Sequence, residues 1–265
     1  MTPTRCERQH CGMGTTTTPQ SAVDAITANP ALPPGTDERV AGFGVMGLPF
    51  STGHYLAFRH FPASSFAPAY QSVWHRDPSS TWTFYATTPA EQSCSRYFSS
   101  ATTVSAVQCD ITMTWTDPWE LAITIPGRLD WTVGIAETAV TTAMSRLGGA
   151  LPERAWASRT VLAGMGRIAG PLLGVGAIRL TGAAPNGQDF RIAPRRMWAV
   201  ARSSATLDGT DLGEPGPLAE QDRLAGFRLP QRGICVIGSA RFEDFDPTRH
   251  RPGNQTAASD RLTSC

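Results

Sequence analysis

The chain has 265 residues, with 23 basic and 22 acidic side chains, so its net charge of +1 provides no strong field for nucleic acid or an anionic membrane. All 23 basic residues are arginines, and the absence of lysine excludes lysine Schiff-base catalysis and P-loop nucleotide binding. The apolar fraction of 41% is sufficient for a core in one large domain or two small ones.

The two ends of the chain lack sustained apolar periodicity, which predicts a disordered leader at 1–37 and a disordered tail at 246–265. Residues 38–245 are then a single β-rich domain. Cys6, His10 and Cys11 have a spacing that hints at metal, but no fourth ligand can be placed, so no metal site is predicted. No charged segment precedes a long apolar run, so we expect a cytoplasmic protein with reduced thiols.

Alternating segments follow one another from residue 54 onward, which predicts an antiparallel sheet with one apolar face. The clearest unit is a hairpin at 70–88, where Asp77 and Pro78 begin a type I turn between aromatic-rich arms. The strands predicted in this half are 54–61, 81–88, 111–115, 121–125 and 129–135. Because such meanders often close on themselves, we predict a lipocalin-like antiparallel β-barrel or cup.

The apolar spacing becomes helical at residue 137, which predicts a helical hairpin inserted at 137–173. The run 160–178 contains one charge, Arg167, whose cost near the centre of a bilayer opposes a membrane span. We expect ordinary core packing for this run, and peripheral membrane contact is an open but less favoured alternative. Close packing against the first helix or the sheet is expected at Gly164, Gly166 and Gly170.

Strands resume after the helices. Pro185, Asn186 and Gly187 form a strong hairpin signal between two apolar runs. The strands predicted here are 177–181, 188–192, 196–203 and 234–242. The long segment 208–221 is predicted to be a loop at the rim of the domain or a lid.

No segment carries a cofactor signature. The glycine-rich segment 164–170 does not follow a predicted strand and lacks the spacing of a dinucleotide-binding loop. Nucleophile-elbow, zinc-protease and EF-hand patterns do not occur in the sequence. Cys94 would need a neighbouring base to act as a nucleophile, and the sequence names none. We therefore predict no cofactor.

Three histidines in the β-rich half are candidates for proton transfer, because histidine titrates near neutral pH. His54 and His60 share one strand face at a separation of roughly 20 Å, so they cannot bind one metal ion. His75 can meet His60 across neighbouring strands. The alternative is that each histidine is structural or solvated.

The segments 72–85 and 181–200 resemble strand–turn–strand units of lipocalin-like (calycin) proteins. They are most similar to the two-lobed hydratase and cyclase types that act on isoprenoids or polyketides, and the chain is also similar to actinobacterial proteins of comparable length. This resemblance covers 54–204 and implies a cavity for a small apolar ligand. The helical insertion departs from a simple lipocalin, and no family catalytic residue can be assigned to a position here.

We therefore predict that the protein binds a small, mostly apolar metabolite in a β-barrel cavity, with no nucleic-acid partner and no specified oligomeric state. The alternative is an isomerase, cyclase or hydratase that uses histidine or carboxylate acid–base chemistry in the same cavity. The candidate carboxylates lie on the polar faces of their strands, which point either to solvent or into the lumen of the barrel: Asp110, Glu120 and Asp130.

The predicted site comes from adjacent strands that combine aromatic bodies with polar tips. The predicted catalytic residues are His60 and His75. The predicted ligand-binding residues are Arg59, Trp74, Arg76 and Tyr85. Arg59, Trp74 and Arg76 lie on strand faces opposite the two histidines, so both sets cannot line one cavity. We favour the histidine set.

Overall fold

The computed structural model describes residues 17–101 and 106–253. Strand accounts for 41% of the structure and helix for 22%, which confirms the mainly β prediction. The candidate metal ligands Cys6, His10 and Cys11 lie outside the described residues, as does most of the predicted tail.

The chain forms five α-helices and fourteen β-strands among the described residues. The helices are α1 (Pro19–Ala28), α2 (Ser95–Phe98), α3 (Ala139–Ala150), α4 (Glu153–Ala157) and α5 (Arg159–Leu173). The strands are β1 (Glu38–Pro49), β2 (Tyr55–Ser64), β3 (Tyr70–Arg76), β4 (Trp82–Ala86), β5 (Val107–Gln108), β6 (Thr112–Asp117), β7 (Glu120–Ile125), β8 (Leu129–Ala136), β9 (Thr181–Ala183), β10 (Asp189–Leu207), β11 (Thr210–Asp211), β12 (Arg223–Leu224), β13 (Phe227–Arg228) and β14 (Ile234–Phe242).

The main sheet is a curled half-barrel with the strand order β5-β4-β3-β2-β1-β14-β10-β8-β7-β6. Its end strands, β5 and β6, do not pair with each other within the described residues, so the sheet is open like the predicted cup and is not a closed barrel. The sheet is mixed and not purely antiparallel as predicted, because β4 and β5 run parallel. The long connection between these two strands returns the chain to the same direction, which a tight hairpin cannot do.

The central strand β1 is absent from the sequence prediction. Its glycines interrupt the apolar alternation, although they make the close pairing with β2 possible. A Cβ atom on Gly42 would lie 2.0 Å from the main-chain oxygen of His60, and one on Gly44 would lie 2.3 Å from that of Phe58. The register also shifts between Ala41 and Phe43, as at a β-bulge. This irregular strand joins the two halves of the sheet.

Both predicted hairpins form. The β3–β4 turn is closed by a hydrogen bond from the Ser80 amide to the Asp77 carbonyl oxygen at 3.0 Å, and the Asp77 carboxylate accepts from the Thr81 amide at 2.8 Å. The β9–β10 hairpin turns through Asn186 and Gly187, where Gly187 has a φ of 97°. Turn chemistry therefore located both hairpins from local sequence.

The helical insertion forms at the predicted position but contains three helices, since α4 separates α3 from α5. Thr138 and Ser158 cap the N-termini of α3 and α5 through their side-chain oxygens. Gly166 and Gly170 pack against the loop that follows α5, which differs from the expected contact with the first helix or the sheet, and a Cβ on Gly164 would meet open space.

Two further segments differ from the prediction. Within the predicted disordered leader, α1 forms a helix that Thr18 caps, and Val23 on it is 1% exposed in the core. The leader prediction therefore fails for these residues. The rim loop 208–221 is tied to the body, since Leu212 is fully buried and Phe50 forms a β-bridge with Pro215.

Both faces of the central strands are buried, whereas the sequence predicted one apolar face. Along β2, Leu56 and Phe58 join the apolar cluster on one face, and Tyr55 and Ala57 join the cluster on the other. A strand that is covered on both sides loses the polar–apolar alternation of a half-exposed strand. The two clusters define two separate regions in which side chains of β2 and β3 can meet.

Candidate functional site beside Arg59

The register of β2 and β3 assigns the predicted site residues to the two faces of the sheet. Arg59 lies opposite Ser72, and Ala57 lies opposite Trp74, so Arg59 and Trp74 share one face. His60 and His75 belong to the other face. This confirms that the two predicted sets cannot line one cavity.

The face that carries Arg59 borders a cavity with a volume of about 80 Å³. This leaves room for a small molecule, because one water needs roughly 10–15 Å³. The lining is mostly apolar and includes Met46, Phe61, Phe98, Ile192, Phe227 and Val236. The polar side-chain groups that line it come from Arg59, Trp74, Cys94 and Ser239.

Arg59 is a buried cation, with 5% of its surface exposed. Its Nη1 donates hydrogen bonds to the main-chain oxygens of Val45 at 3.1 Å and Phe58 at 3.0 Å. The guanidinium carbon lies 4.7 Å from the centroid of the Trp74 ring, a cation–π distance. Within the described part of the chain, Arg59 forms no ion pair with a carboxylate.

Burial lowers the pKa of Arg59, because desolvation disfavours the charged form. A guanidinium nevertheless remains protonated in proteins. Buried charges are normally paired, because an unpaired one is costly. An arginine that lines an apolar cavity without a carboxylate partner can therefore accept an anionic ligand.

The other ionisable groups beside the cavity are neutral. The sulfur of Cys94 lies 3.2 Å from the hydroxyl of Tyr70, and both residues are buried. Burial raises the pKa of the Cys94 thiol and raises that of the Tyr70 hydroxyl well above its usual value. The thiol is therefore not an activated nucleophile, in agreement with the absence of a neighbouring base in the sequence.

The two predicted catalytic histidines lie apart from each other and from this cavity. His75 is buried, and its Nε2 lies 2.9 Å from Nδ1 of His54. His60 is opposite Gln71 in the strand register and packs against the ring of Phe43. The expected contact between His60 and His75 is therefore wrong, because one lies near each end of the β2–β3 pair.

The remaining predicted residues have structural partners elsewhere. Arg76 forms an ion pair with Asp222 and donates to the main-chain oxygen of Gly53 at 3.0 Å. The hydroxyl of Tyr85 accepts a hydrogen bond from Arg128 at 3.1 Å. Neither Arg76 nor Tyr85 lines the cavity beside Arg59.

The candidate carboxylates lie on the solvent side of the sheet. Asp110 and Asp130 are exposed, and Glu120 forms an ion pair with Arg202. The opposite faces of β7 and β8 are buried in the core, where Leu121 and Trp131 pack. Among the described residues that line the cavity, none is a histidine, aspartate or glutamate.

A second cavity, with a volume of about 70 Å³, lies between the sheet and the inserted helices. It shares Met46, Ile192, Pro194, Phe227 and Val236 with the cavity beside Arg59, so the two are neighbours. Its lining contains four methionines, whose flexible side chains adapt to different shapes. These are Met46, Met144, Met165 and Met197.

The sequence did not predict several residues of the cavity lining. Four of them come from separate segments of the chain: Phe98, Ile192, Phe227 and Val236. Their sequence signal is that of ordinary core residues, so only the tertiary structure identifies them.

In the described ranges, no group of three or more potential ligands could hold a metal ion. Within the same ranges, every helix is too short or too polar to cross a bilayer.

No protein-family model matches this chain, and no curated protein matches it. Among solved structures, the chain is similar to acetoacetate decarboxylase from Legionella pneumophila, with a TM-score of 0.38 and 10% sequence identity over 88% of this chain and 96% of that chain. We assign neither a family nor an activity from this likeness. The resemblance to lipocalin-like proteins stays a prediction.

Proposed function

We propose that this protein binds a small, largely apolar molecule with one anionic group, such as a carboxylate, in the cavity beside Arg59. The observation that carries the proposal is a buried cation at the wall of an apolar cavity, with no carboxylate partner among residues 17–101 and 106–253. A carboxylate can accept two parallel hydrogen bonds from a guanidinium, and this geometry would fix the orientation of the ligand. The apolar wall would contribute most of the buried area.

The composition of the lining favours binding over catalysis. Acid–base catalysis needs a titratable group within reach of the reacting atoms. His60 and His75 do not line this cavity, and the candidate carboxylates are on the solvent side of the sheet. The isomerase, cyclase or hydratase alternative would therefore need a histidine or carboxylate that the described lining of this cavity does not contain.

The neighbouring cavity bears on the length of the ligand. Because the two cavities share five side chains, a ligand with its anionic group at Arg59 could extend an apolar chain toward the methionine-lined space. We therefore expect affinity for straight-chain carboxylates to rise with chain length until both spaces are filled.

The test compares octanoate with octan-1-ol by isothermal titration calorimetry. We expect octanoate to bind more tightly by about tenfold or more, because a charge-assisted hydrogen bond contributes roughly 1.5–3 kcal/mol. Arg59→Gln should remove this preference while the alcohol affinity changes little. Arg202→Gln, which removes an exposed arginine outside the cavity, is the matched control and should bind octanoate normally.

Two outcomes would contradict the proposal. One is equal affinity of the parent protein for octanoate and octan-1-ol. The other is unchanged octanoate binding in Arg59→Gln together with its loss in His75→Ala, which would favour the opposite face of the sheet.

A further inference from the structure

The inserted helices expose an apolar surface toward solvent. Six large apolar side chains are exposed among the described residues, and five of them lie on α3 and α5. Those five are Val140, Leu147, Val161, Ile168 and Leu172. Ile168 is 62% exposed and Leu172 is 55% exposed, so the core packing expected for this run applies only to its other face.

The exposed side chains form one stripe on each helix. Val140 and Leu147 are seven residues apart on α3, and Val161 and Ile168 have the same separation on α5. This spacing is two helical turns, so each pair lies on one side of its helix. Leu172, one turn beyond Ile168, extends the stripe on α5.

The two helices repeat one local pattern. In each helix a valine is followed by a methionine four residues later, an arginine six residues later and a large aliphatic residue seven residues later. The methionines, Met144 and Met165, line the inner cavity, whereas the arginines, Arg146 and Arg167, are exposed. Each methionine is one turn from its valine, so it lies beside the stripe and not on the opposite side of the helix. The exposed part of each helix, its outer face, carries the apolar stripe with an arginine beside it.

The charge around these stripes is mainly positive. The chain as a whole is almost neutral, yet residues 137–180 contain five arginines and two carboxylates, Glu137 and Glu153. Arg159 pairs with Asp189, and Glu153 pairs with Arg195 from outside the segment. Four exposed arginines of the segment have no carboxylate partner among the described residues: Arg146, Arg154, Arg167 and Arg179.

We propose that the outer face of α3 and α5 docks onto the surface of an anionic phospholipid membrane. Amphipathic helices that lie in a membrane interface combine apolar side chains with basic ones, and α3 and α5 have this composition. The aliphatic stripes would enter the boundary between headgroups and acyl chains, and the arginines would bind lipid phosphates. A second copy of this chain is less suitable as a partner, because two such faces would bring unpaired arginines together.

The proposal is tested by co-sedimentation of the full chain with phosphatidylcholine vesicles, with and without phosphatidylglycerol. We expect binding to the anionic vesicles, weaker binding to the neutral ones, and release at high salt. Arg146→Gln combined with Arg167→Gln should weaken binding about 30-fold. Ile168→Gln and Leu172→Gln should each weaken it by roughly tenfold.

The controls remove one exposed arginine and one exposed apolar side chain outside the insertion, as Arg202→Gln and Phe245→Gln. Both should bind vesicles like the parent protein. Circular dichroism and thermal midpoints establish that every variant is folded. The proposal is overturned if folded parent protein does not sediment with anionic vesicles, or if the helix variants bind like the controls. A dimer in solution that Ile168→Gln dissociates, without vesicle binding by the parent, would identify a second copy as the partner instead.

Discussion

Nδ1 of His54 lies 2.9 Å from Nε2 of His75, and the two rings stack with their centroids 5.2 Å apart. In a hydrogen bond between two imidazoles one nitrogen donates and the other accepts, so at least one ring is neutral. Burial, and then the nearby His54, lower the pKa of His75 to about 4. Burial also lowers the pKa of His54. The pair is therefore a neutral structural contact at physiological pH.

We predict that folding stability falls in mild acid because of His75. Its pKa is about 4 in the folded protein and near 6.5 in the unfolded chain, so the unfolded state binds more protons between these values. The contribution of His75 to the free energy of unfolding should be complete above about pH 6.5. It should decrease by about 3 kcal/mol as the pH falls toward 4. Urea unfolding across this range measures the loss, which His75→Gln should reduce. An equal pH dependence in parent and variant would contradict the assignment.

We predict that Arg59→Met separates binding from stability. The substitution removes a buried cation that has no carboxylate partner in the described part of the chain, and it keeps a long side chain against Trp74. Replacing buried charges by apolar groups of similar volume is often neutral or stabilising, although the hydrogen bonds to Val45 and Phe58 are lost. The free energy of unfolding, measured in urea, should be higher or at most about 1 kcal/mol lower, while octanoate binding is lost. A decrease well beyond this would indicate a structural role for the guanidinium.

We predict opposite effects of two neighbouring glycine substitutions in α3. A Cβ on Gly148 would lie 2.6 Å from the main-chain oxygen of Arg195, so Gly148→Ala should destabilise the fold by roughly 1–3 kcal/mol. A Cβ on Gly149 would meet no atom within 4 Å, so Gly149→Ala should stabilise it by about 0.5–1 kcal/mol through helix propensity. Thermal or urea unfolding of both variants gives the comparison. Equal effects would mean that α3 is not seated closely on β10.

We predict that Gly42→Ala destabilises the protein more than Gly148→Ala does. The added methyl group would lie 2.0 Å from the main-chain oxygen of His60 and close to Pro62, so β1 and β2 would have to separate. A loss of about 3 kcal/mol or more in the free energy of unfolding is expected, in the range of the larger core defects. Ala41→Ser at the adjacent position is a mild control. Similar stabilities of the two variants would refute the close pairing at Gly42.

Local sequence chemistry determined much of the strand and turn structure. Asp77 with Pro78, and Asn186 with Gly187, carry their turn preference in a few consecutive residues, because it depends on backbone angles and short-range hydrogen bonds. The alternation in β7 and β8 also identified their buried face, since Leu121 and Trp131 pack inward while polar neighbours remain outside. The change of period at residue 137 predicted the helical insertion for the same local reason.

The tertiary structure decided the features that depend on contacts between distant segments. β1 was not predicted because its glycines are required by the close approach of the main-chain atoms of β2. The sequence of one strand does not show how closely its partner strand lies. Arg59 was named as a candidate, but the cavity beside it is lined by residues as distant in sequence as Phe242. The lack of a carboxylate partner for Arg59 within the described residues also became visible only in the folded chain. The helix pattern of Val161 and Ile168 indicated an apolar side without showing that solvent covers it. Periodicity reports which residues share a face, whereas packing decides what that face contacts.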